Sequence, residues 1–271
     1  MFVDSHCHLT FPELNQNLQA IREAMAEAQV DRALCICTTL EEFPAVLGLA
    51  QQYDNFWATV GVHPDNEGVL EPSVERLVEL GRAERVVAVG ETGLDYYRLD
   101  GRSVADMEWQ RERFRNHIRA AKQLGKPLVI HTRSAAEDTL AILREEGAEA
   151  AGGVLHCFTE SRQVADAALE LGFYISFSGI LTFRNAEDLR QVARHVPLER
   201  CLIETDSPYL APVPYRGKTN NPSYVRWVAR QLAELKGLPV EAVGEATSRN
   251  FERLFKVAPP SKRLEEPAST R

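Results

Sequence analysis

Eight short apolar runs recur along the chain and alternate with longer amphipathic segments. Most of the runs are rich in β-branched residues and apolar at consecutive positions, a pattern typical of parallel strands that are buried on both faces. The predicted strands are residues 2–6, 33–38, 56–63, 86–91, 127–132, 153–158, 174–179 and 201–206.

The segments between these runs carry apolar residues at helical spacing. Residues 14–28 and 107–125 show the spacing most clearly, and the second segment ends at Gly125, a usual helix stop. Ser134, with Glu137 three residues later, predicts a capping box at the start of another helix.

Eight strands alternating with helices predict an α/β protein with one (β/α)8 fold, the TIM barrel. We expect residues 1–257 to form this barrel as a single domain, because no segment within them resembles a linker. The polar, Pro-rich residues 258–271 are expected to form a flexible tail.

Composition narrows the possible functions. The 271 residues carry a formal net charge of −8, which argues against gripping long stretches of duplex DNA through Lys and Arg. It does not argue against a small site that meets one phosphate through metal ions. No apolar stretch is long enough for a membrane span, and no heptad or apolar surface stripe is visible, so we expect a monomer that does not contact membranes.

The five cysteines predict a reducing environment. Their number is odd, their spacing is irregular and no secretory leader precedes them, so we expect free thiols and a cytoplasmic protein. Cys35 and Cys37 form C-x-C within an apolar run, which favours packing over a redox or zinc role.

Polar side chains of metal-binding type end several predicted strands. The carboxyl ends of barrel strands surround the active site, and five of the seven histidines lie there. The other two, His117 and His195, fall in helical segments and are predicted to be solvated or capping residues. The candidate metal ligands are His6, His8, Glu91, His131, His156 and Asp206.

This mixed set of nitrogen and oxygen ligands suits Zn, Mn, Ni, Co or Mg. Six ligands are too many for one catalytic ion with an open position and suit two divalent ions that share a carboxylate.

Side-chain alternation along the first strand separates its residues. His6 and His8 share one face and Cys7 points away from it. Asp4 lies on the His6 side, where it is expected to orient an imidazole from beneath the site.

Seven motifs extend the argument from single residues to a family. They are D-S-H-C-H, G-V-H-P, G-E-T-G-L-D-Y, H-T-R, H-C-F, E-T-D-S-P-Y-L-A-P and R-G-K-T-N-N-P. In this order, over roughly residues 1–256, the chain resembles the TatD-type metal-dependent DNases, which belong to the amidohydrolase-like metal barrels.

The resemblance implies two divalent metal ions. One would be held by His6, His8 and Asp206, the other by His131 and His156, and Glu91 would bridge them. It also implies that Glu204, His63 and Arg133 line the same pocket.

The chemistry expected of such a centre is hydrolysis, because the ions bring the pKa of a bound water close to neutrality. Asp206 can accept the proton of this water. Glu204 is predicted to share a face with Asp206, whereas Thr205 does not, so Glu204 is an alternative proton acceptor or a ligand for an extra ion.

Cationic and aromatic residues in the predicted strand-end loops favour a phosphodiester over a neutral amide, because Arg and Lys bind phosphate and aromatic rings stack on bases. The substrate-binding candidates are Arg133, Arg216, Lys218, Tyr97 and His63, with Arg98, Arg102, Tyr96, Tyr209 and Tyr215 nearby.

The function predicted from these features is a metal-dependent deoxyribonuclease, a 3′–5′ exonuclease acting on DNA ends or single strands. Two alternatives remain within the superfamily. One is hydrolysis of a small amide, ester, lactone or phosphoester, and the other is deacylation of the 3′ end of aminoacyl-tRNA. A non-enzymatic scaffold with a relic site would lack some ligands, whereas every expected ligand is present.

Overall fold

A computed structural model describes residues 1–258, which form a barrel of eight parallel strands in sequence order. The strands are β1 Phe2–Cys7, β2 Val30–Cys35, β3 Phe56–Val60, β4 Val86–Asp95, β5 Leu128–Arg133, β6 Gly153–Leu155, β7 Tyr174–Phe177 and β8 Cys201–Ile203. The barrel closes just beyond β8, where Ser207 pairs with Cys7 and the Asp206 N–H donates to the His6 carbonyl at 3.0 Å. The predicted TIM barrel is confirmed.

Helices surround this barrel. They are α1 Pro12–Asn15, α2 Leu18–Glu27, α3 Phe43–Gln52, α4 Val74–Gly81, α5 Glu108–Leu124, α6 Ala136–Glu145, α7 Arg162–Glu170, α8 Glu187–His195, α9 Val225–Lys236 and α10 Val240–Phe255. Among residues 1–258, no helix combines the length and apolarity needed to cross a bilayer. The tail predicted for residues 258–271 lies, from residue 259 onward, outside the described residues.

Several predicted bounds were wrong. β2 begins at Val30, before its predicted start, and β3 and β8 end three residues before their predicted ends. β4 instead continues to Asp95, since its second half stays paired with β5. The predicted helix 14–28 is divided into α1 and α2.

The predicted capping box at Ser134 is also wrong. Ser134 has a φ of 54°, whereas an N-cap residue needs extended backbone. Ala135 occupies the cap position of α6 and provides no side-chain cap. Gly125 does end α5, in the left-handed conformation predicted for a helix stop.

The C-terminal helix α10 covers the amino-terminal end of the barrel. Its Phe251, Leu254 and Phe255 pack with Val3 and Trp57 in a separate apolar cluster. Because α10 closes the amino-terminal end, the carboxyl ends of the strands form the open end of the barrel. All five cysteines are free, and Cys35 and Cys37 are buried as predicted.

Candidate metal centre

The Glu91 carboxylate lies at the centre of a ring of imidazoles. Its Oε2 atom is 3.3 Å from His6 Nε2. Its Oε1 atom is 2.8 Å from His156 Nε2 and 3.3 Å from both His63 Nε2 and His131 Nδ1. These five side chains come from β1, β4, β5 and the segments that follow β3 and β6, so only the closed barrel brings them together.

Close approach of β3, β4 and β5 places Glu91 and His131 side by side. A Cβ atom at Gly61 would lie 2.4 Å from the Gly90 carbonyl carbon, and one at Gly93 would lie 1.9 Å from the His131 oxygen. Side chains at these two positions would push the strands apart.

The two histidines of D-S-H-C-H face the centre together. Their Nε2 atoms are 3.3 Å apart, and Asp206 Oδ1 lies 3.5 Å from that of His6 and 3.4 Å from that of His8. Cys7 points the other way and donates to the Leu34 carbonyl. The alternation from His6 to His8 is therefore as predicted, whereas the register of β1 against β2 shifts between Asp4 and Cys7, so it does not extend to Asp4.

Glu204 lies behind His156 and not at the pocket surface. Its Oε1 atom is 3.1 Å from His156 Nδ1, and the residue is fully buried. The Glu204 Oε2 atom has no hydrogen-bond partner among residues 1–258.

Asp4 was predicted to orient an imidazole, and this is wrong. Its Oδ1 atom accepts the backbone N–H groups of His6 and Thr205 at 3.2 and 2.9 Å, and its Oδ2 atom accepts the Thr205 hydroxyl. Thr205 reaches Asp4 because it faces away from the pocket. Burial raises the pKa of Asp4 to about 8 although Thr205 donates to it. Asp4 thus ties β1 to the segment after β8.

Charges within the cluster are strongly coupled. Burial opposes ionisation of Glu91, but the imidazoles of His156, His63 and His6 hold its pKa well below the usual range. Burial likewise opposes protonation of His156, and the carboxylates of Glu91 and Glu204 nevertheless raise its pKa well above the usual value. Burial and the neighbouring His156 lower the pKa of His6.

The donor set fits divalent metal ions. Three groups of ligand atoms lie within 4.8 Å of one another: His6–His156–Asp206, His6–His8–Glu91 and His63–Glu91–His131. The His6 and His156 rings stack face to face at 3.8 Å between centroids. The buried, mixed nitrogen and carboxylate donors match the preferences of catalytic divalent cations.

A cavity of about 770 Å³ opens above this cluster. One wall carries Phe11 and Tyr209, and the opposite wall carries Arg98 and Arg133. The Arg133 guanidinium stacks on the Tyr97 ring at 3.6 Å from its centroid.

Other predicted substrate contacts lie outside the cavity lining. Arg216 stacks on Phe183 at 3.7 Å, and the Lys218 amine is 5.6 Å from the Tyr215 ring. Arg102 pairs with Glu67 at 2.6 Å, so its charge is already compensated.

Two predicted aromatic contacts have structural partners instead. Tyr96 is buried and donates to Asp138 at 2.7 Å. Tyr215 stacks on Tyr224 at 4.0 Å between ring centroids.

His117 is buried, so its predicted role as a solvated or capping residue is wrong. Its Nε2 atom accepts the Val62 N–H at 3.0 Å, and its Nδ1 atom donates to the Arg113 carbonyl at 2.7 Å. Burial lowers its pKa to about 4. His195 is partly exposed and pairs with Asp166, as expected of a solvated residue.

Sequence reasoning missed Asp95 and Phe11. Asp95 Oδ2 lies 2.9 Å from His131 Nε2, and the Phe11 ring stacks on His8 at 4.7 Å. Asp95 has the same parity as Glu91 on β4 and could have been found had the strand been extended past Glu91. For Phe11, which follows β1 in a turn, the sequence carries no comparable signal.

Comparisons with known proteins identify the family. The family model described as TatD related DNase matches residues 3–256. The uncharacterized metal-dependent hydrolase YcfH of Escherichia coli is 50% identical over 259 residues, covering 94% of this chain and 96% of the relative. A protein of Edwardsiella piscicida named 3′-5′ ssDNA/RNA exonuclease TatD is 35% identical, covering 94% and 100%.

Among solved structures, the TatD homologue YJJV of Escherichia coli superposes with a TM-score of 0.88 at 31% identity and covers 95% of this chain and 98% of its own. The family match over nearly the whole chain and the shared barrel lead to one conclusion: the chain belongs to the TatD-related DNase family of metal-dependent hydrolases.

Proposed function

We propose that this protein is a two-metal phosphodiesterase that removes nucleotides from the 3′ end of single-stranded DNA. The observation that carries the proposal is a pocket whose floor is the His/Glu/Asp cluster and whose wall presents Arg98 and Arg133. Within residues 1–258, no carboxylate lies within 4.0 Å of either guanidinium, so both charges are available to phosphate.

Two divalent ions would supply Lewis-acid stabilisation of the phosphoryl group and a bound water of near-neutral pKa. His6, His8 and Asp206 would hold one ion, and His131 and His156 the other. Glu91 would lie between them. Its distances of 2.8–3.3 Å to imidazoles on both sides support this assignment.

Asp206 is our choice as proton acceptor. Burial opposes its ionisation, but His8 and His6 lower its pKa, so it is a carboxylate at neutral pH. Asp206 is 16% exposed at the pocket floor, whereas Glu204 is fully buried behind His156. Access to a substrate-side water therefore favours Asp206, and Glu204 is left to orient His156.

The other walls of the cavity suit the end of a nucleic-acid strand. Phe11 and Tyr209 offer rings on which a base can stack, worth about 1–3 kcal/mol per base. A duplex is too wide to bring its backbone to the floor of this cavity, whereas a single strand can enter. The 3′–5′ direction is taken from the relative that carries it in its name.

The experiment is digestion of 5′-labelled single- and double-stranded oligonucleotides with Mg²⁺ or Mn²⁺, followed over time. We expect stepwise shortening of the single strand from its 3′ end. Asp206→Asn should lower kcat by about 10²- to 10⁴-fold, the usual contribution of a positioned base. Asp138→Asn is the matched control, because this carboxylate bonds Tyr96 and Arg111 and not the centre. An intact single strand after incubation with the metal-loaded protein would refute the proposal.

Substitution of Arg133 distinguishes the competing reactions. A small-molecule amidase or lactonase should tolerate Arg133→Ala, whereas a nuclease should show a raised KM. Release of an amino acid from aminoacyl-tRNA without shortening of the RNA would identify the deacylase.

We further propose a monomer that acts in the cytoplasm. Five free thiols suit a reducing compartment. Light scattering of the purified protein tests the monomer, and fractionation of cells that express a tagged chain tests the location.

A further inference from the structure

Asp95 joins a candidate metal ligand to a substrate-side residue. It is the last residue of β4, is 4% exposed and lines the pocket. Its two carboxylate oxygens have different partners, and each partner belongs to a different part of the site.

The first oxygen controls the orientation of His131. Asp95 Oδ2 lies 2.9 Å from His131 Nε2, while His131 Nδ1 faces Glu91 Oε1 at 3.3 Å. A carboxylate accepts hydrogen bonds, so Nε2 carries a proton and Nδ1 is the nitrogen left to bind a cation.

The second oxygen controls the position of Arg133. Asp95 Oδ1 accepts the backbone N–H of Tyr97 at 2.9 Å, and the Tyr97 ring stacks on the Arg133 guanidinium at 3.6 Å. The Asp95 carboxylate therefore also positions the Tyr97 ring that stacks on Arg133.

Asp95 is itself held from outside the barrel. Its backbone N–H donates to Gln110 Oε1 at 2.9 Å, and its carbonyl accepts from Gln110 Nε2 at 3.1 Å. Gln110 lies on α5 and is 1% exposed. This pair of bonds fixes the Asp95 backbone, and the contacts of the carboxylate to His131 and to the Tyr97 N–H fix the side chain.

We propose that Asp95 is a positioning residue that fixes the proton arrangement of His131 for metal binding and, through Tyr97, the place of Arg133 for a substrate phosphate. The second half rests on the proposed function, and the first half does not. No other residue in the described chain bonds both His131 and the Tyr97 backbone.

The decisive variant is Asp95→Asn, which keeps the shape of the side chain. Its amide oxygen still accepts the Tyr97 N–H, but its NH₂ group now faces His131 Nε2. That ring nitrogen must then accept, so the proton moves to Nδ1 and blocks the nitrogen that faces Glu91. We expect Mn²⁺ affinity at one site to fall about 10- to 100-fold, with KM for a single strand within about twofold of wild type at saturating Mn²⁺.

Three further variants separate the two roles. Asp95→Ala should weaken Mn²⁺ binding and also raise KM, because both contacts are lost. Tyr97→Ala should raise KM and leave Mn²⁺ affinity unchanged. Asp138→Asn, a matched loss of one carboxylate outside the pocket, should change neither.

Mn²⁺ affinity is read from the free-ion signal in electron paramagnetic resonance titrations. Nitrogen NMR of the Zn²⁺-loaded wild type reports the His131 ring directly and requires no variant to fold. A proton on Nδ1 in that spectrum, or wild-type Mn²⁺ affinity in folded Asp95→Asn, would overturn the proposal. If no variant and no wild type cleaves DNA while the Mn²⁺ differences persist, the metal-positioning half stands and the proposed function fails.

Discussion

His6 and Cys7 show how two adjacent residues acquire opposite roles. The His6 imidazole contacts Glu91 and Asp206 within 3.5 Å, whereas the Cys7 thiol bonds a carbonyl of β2 on the other side of the sheet. The period of two along β1 is the physical reason.

At this scale we predict unequal effects of substitution. His6→Ala should reduce the bound metal per chain and lower turnover, because it removes a nitrogen shared by two of the three ligand groups. Cys7→Ser should leave metal content unchanged, since its hydroxyl can donate to Leu34. Elemental analysis of dialysed protein measures both, and equal metal content in the two variants would contradict the assignment.

At the scale of elements, a buried imidazole helps to join α5 to the segment after β3. His117 bonds the Val62 N–H next to His63 and is neutral because burial lowers its pKa from 6.5 to about 4. The unfolded chain takes up the proton below 6.5, and the folded protein does so only near 4. The stabilisation is therefore complete above pH 6.5 and is lost as the pH falls toward 4.

We predict that this residue makes stability sensitive to acid. Lowering the pH from about 7 to about 5 should reduce the free energy of unfolding by about 2 kcal/mol, because His117 takes up a proton in the unfolded chain but not in the folded protein. His117→Gln keeps an acceptor for Val62 and should abolish that part of the loss. Urea unfolding of both proteins in EDTA at the two pH values measures the difference, and identical pH profiles would refute the role.

A second prediction at this scale concerns the helix α10. Phe251 is fully buried between Trp57 and Phe255, with ring centroids 5.8 and 4.8 Å away. Phe251→Ala should cost about 3–5 kcal/mol of unfolding free energy. Metal content should not change, because α10 closes the end of the barrel opposite the site. Loss of metal by the folded variant would argue against this separation.

At the scale of the whole molecule, an acidic protein presents a small cationic wall. The net charge is −8, yet Arg98 and Arg133 face the cavity. Under the proposed function, attraction for nucleic acid must therefore come from few contacts and act at short range.

This arrangement predicts that the affinity for a single strand depends only weakly on salt concentration. Two phosphate contacts on a single strand give a slope of about −1.4 for log affinity against log salt, and Arg133→Ala should reduce its magnitude by about 0.7. Arg249→Ala removes the same charge from α10, away from the site, and should leave the slope unchanged. The dependence of KM on KCl concentration tests this, and a steep slope would indicate a larger binding surface.

The sequence by itself determined the barrel and the kind of chemistry. Strands buried on both faces must be apolar at consecutive positions, so eight runs were legible without coordinates. Because parallel strands of a barrel end on the same side, His6, Glu91, His131 and Asp206 could be expected to meet there.

Only the tertiary structure decided which atoms meet. The pairing of Asp95 with His131 depends on the register of β4 against β5, and the burial of His117 depends on how α5 packs beside β3. Ser134 lost its predicted cap because the chain leaving β5 adopts a left-handed turn. Periodicity reports which side of its own element a residue faces, whereas these contacts are set by a neighbouring element distant in sequence.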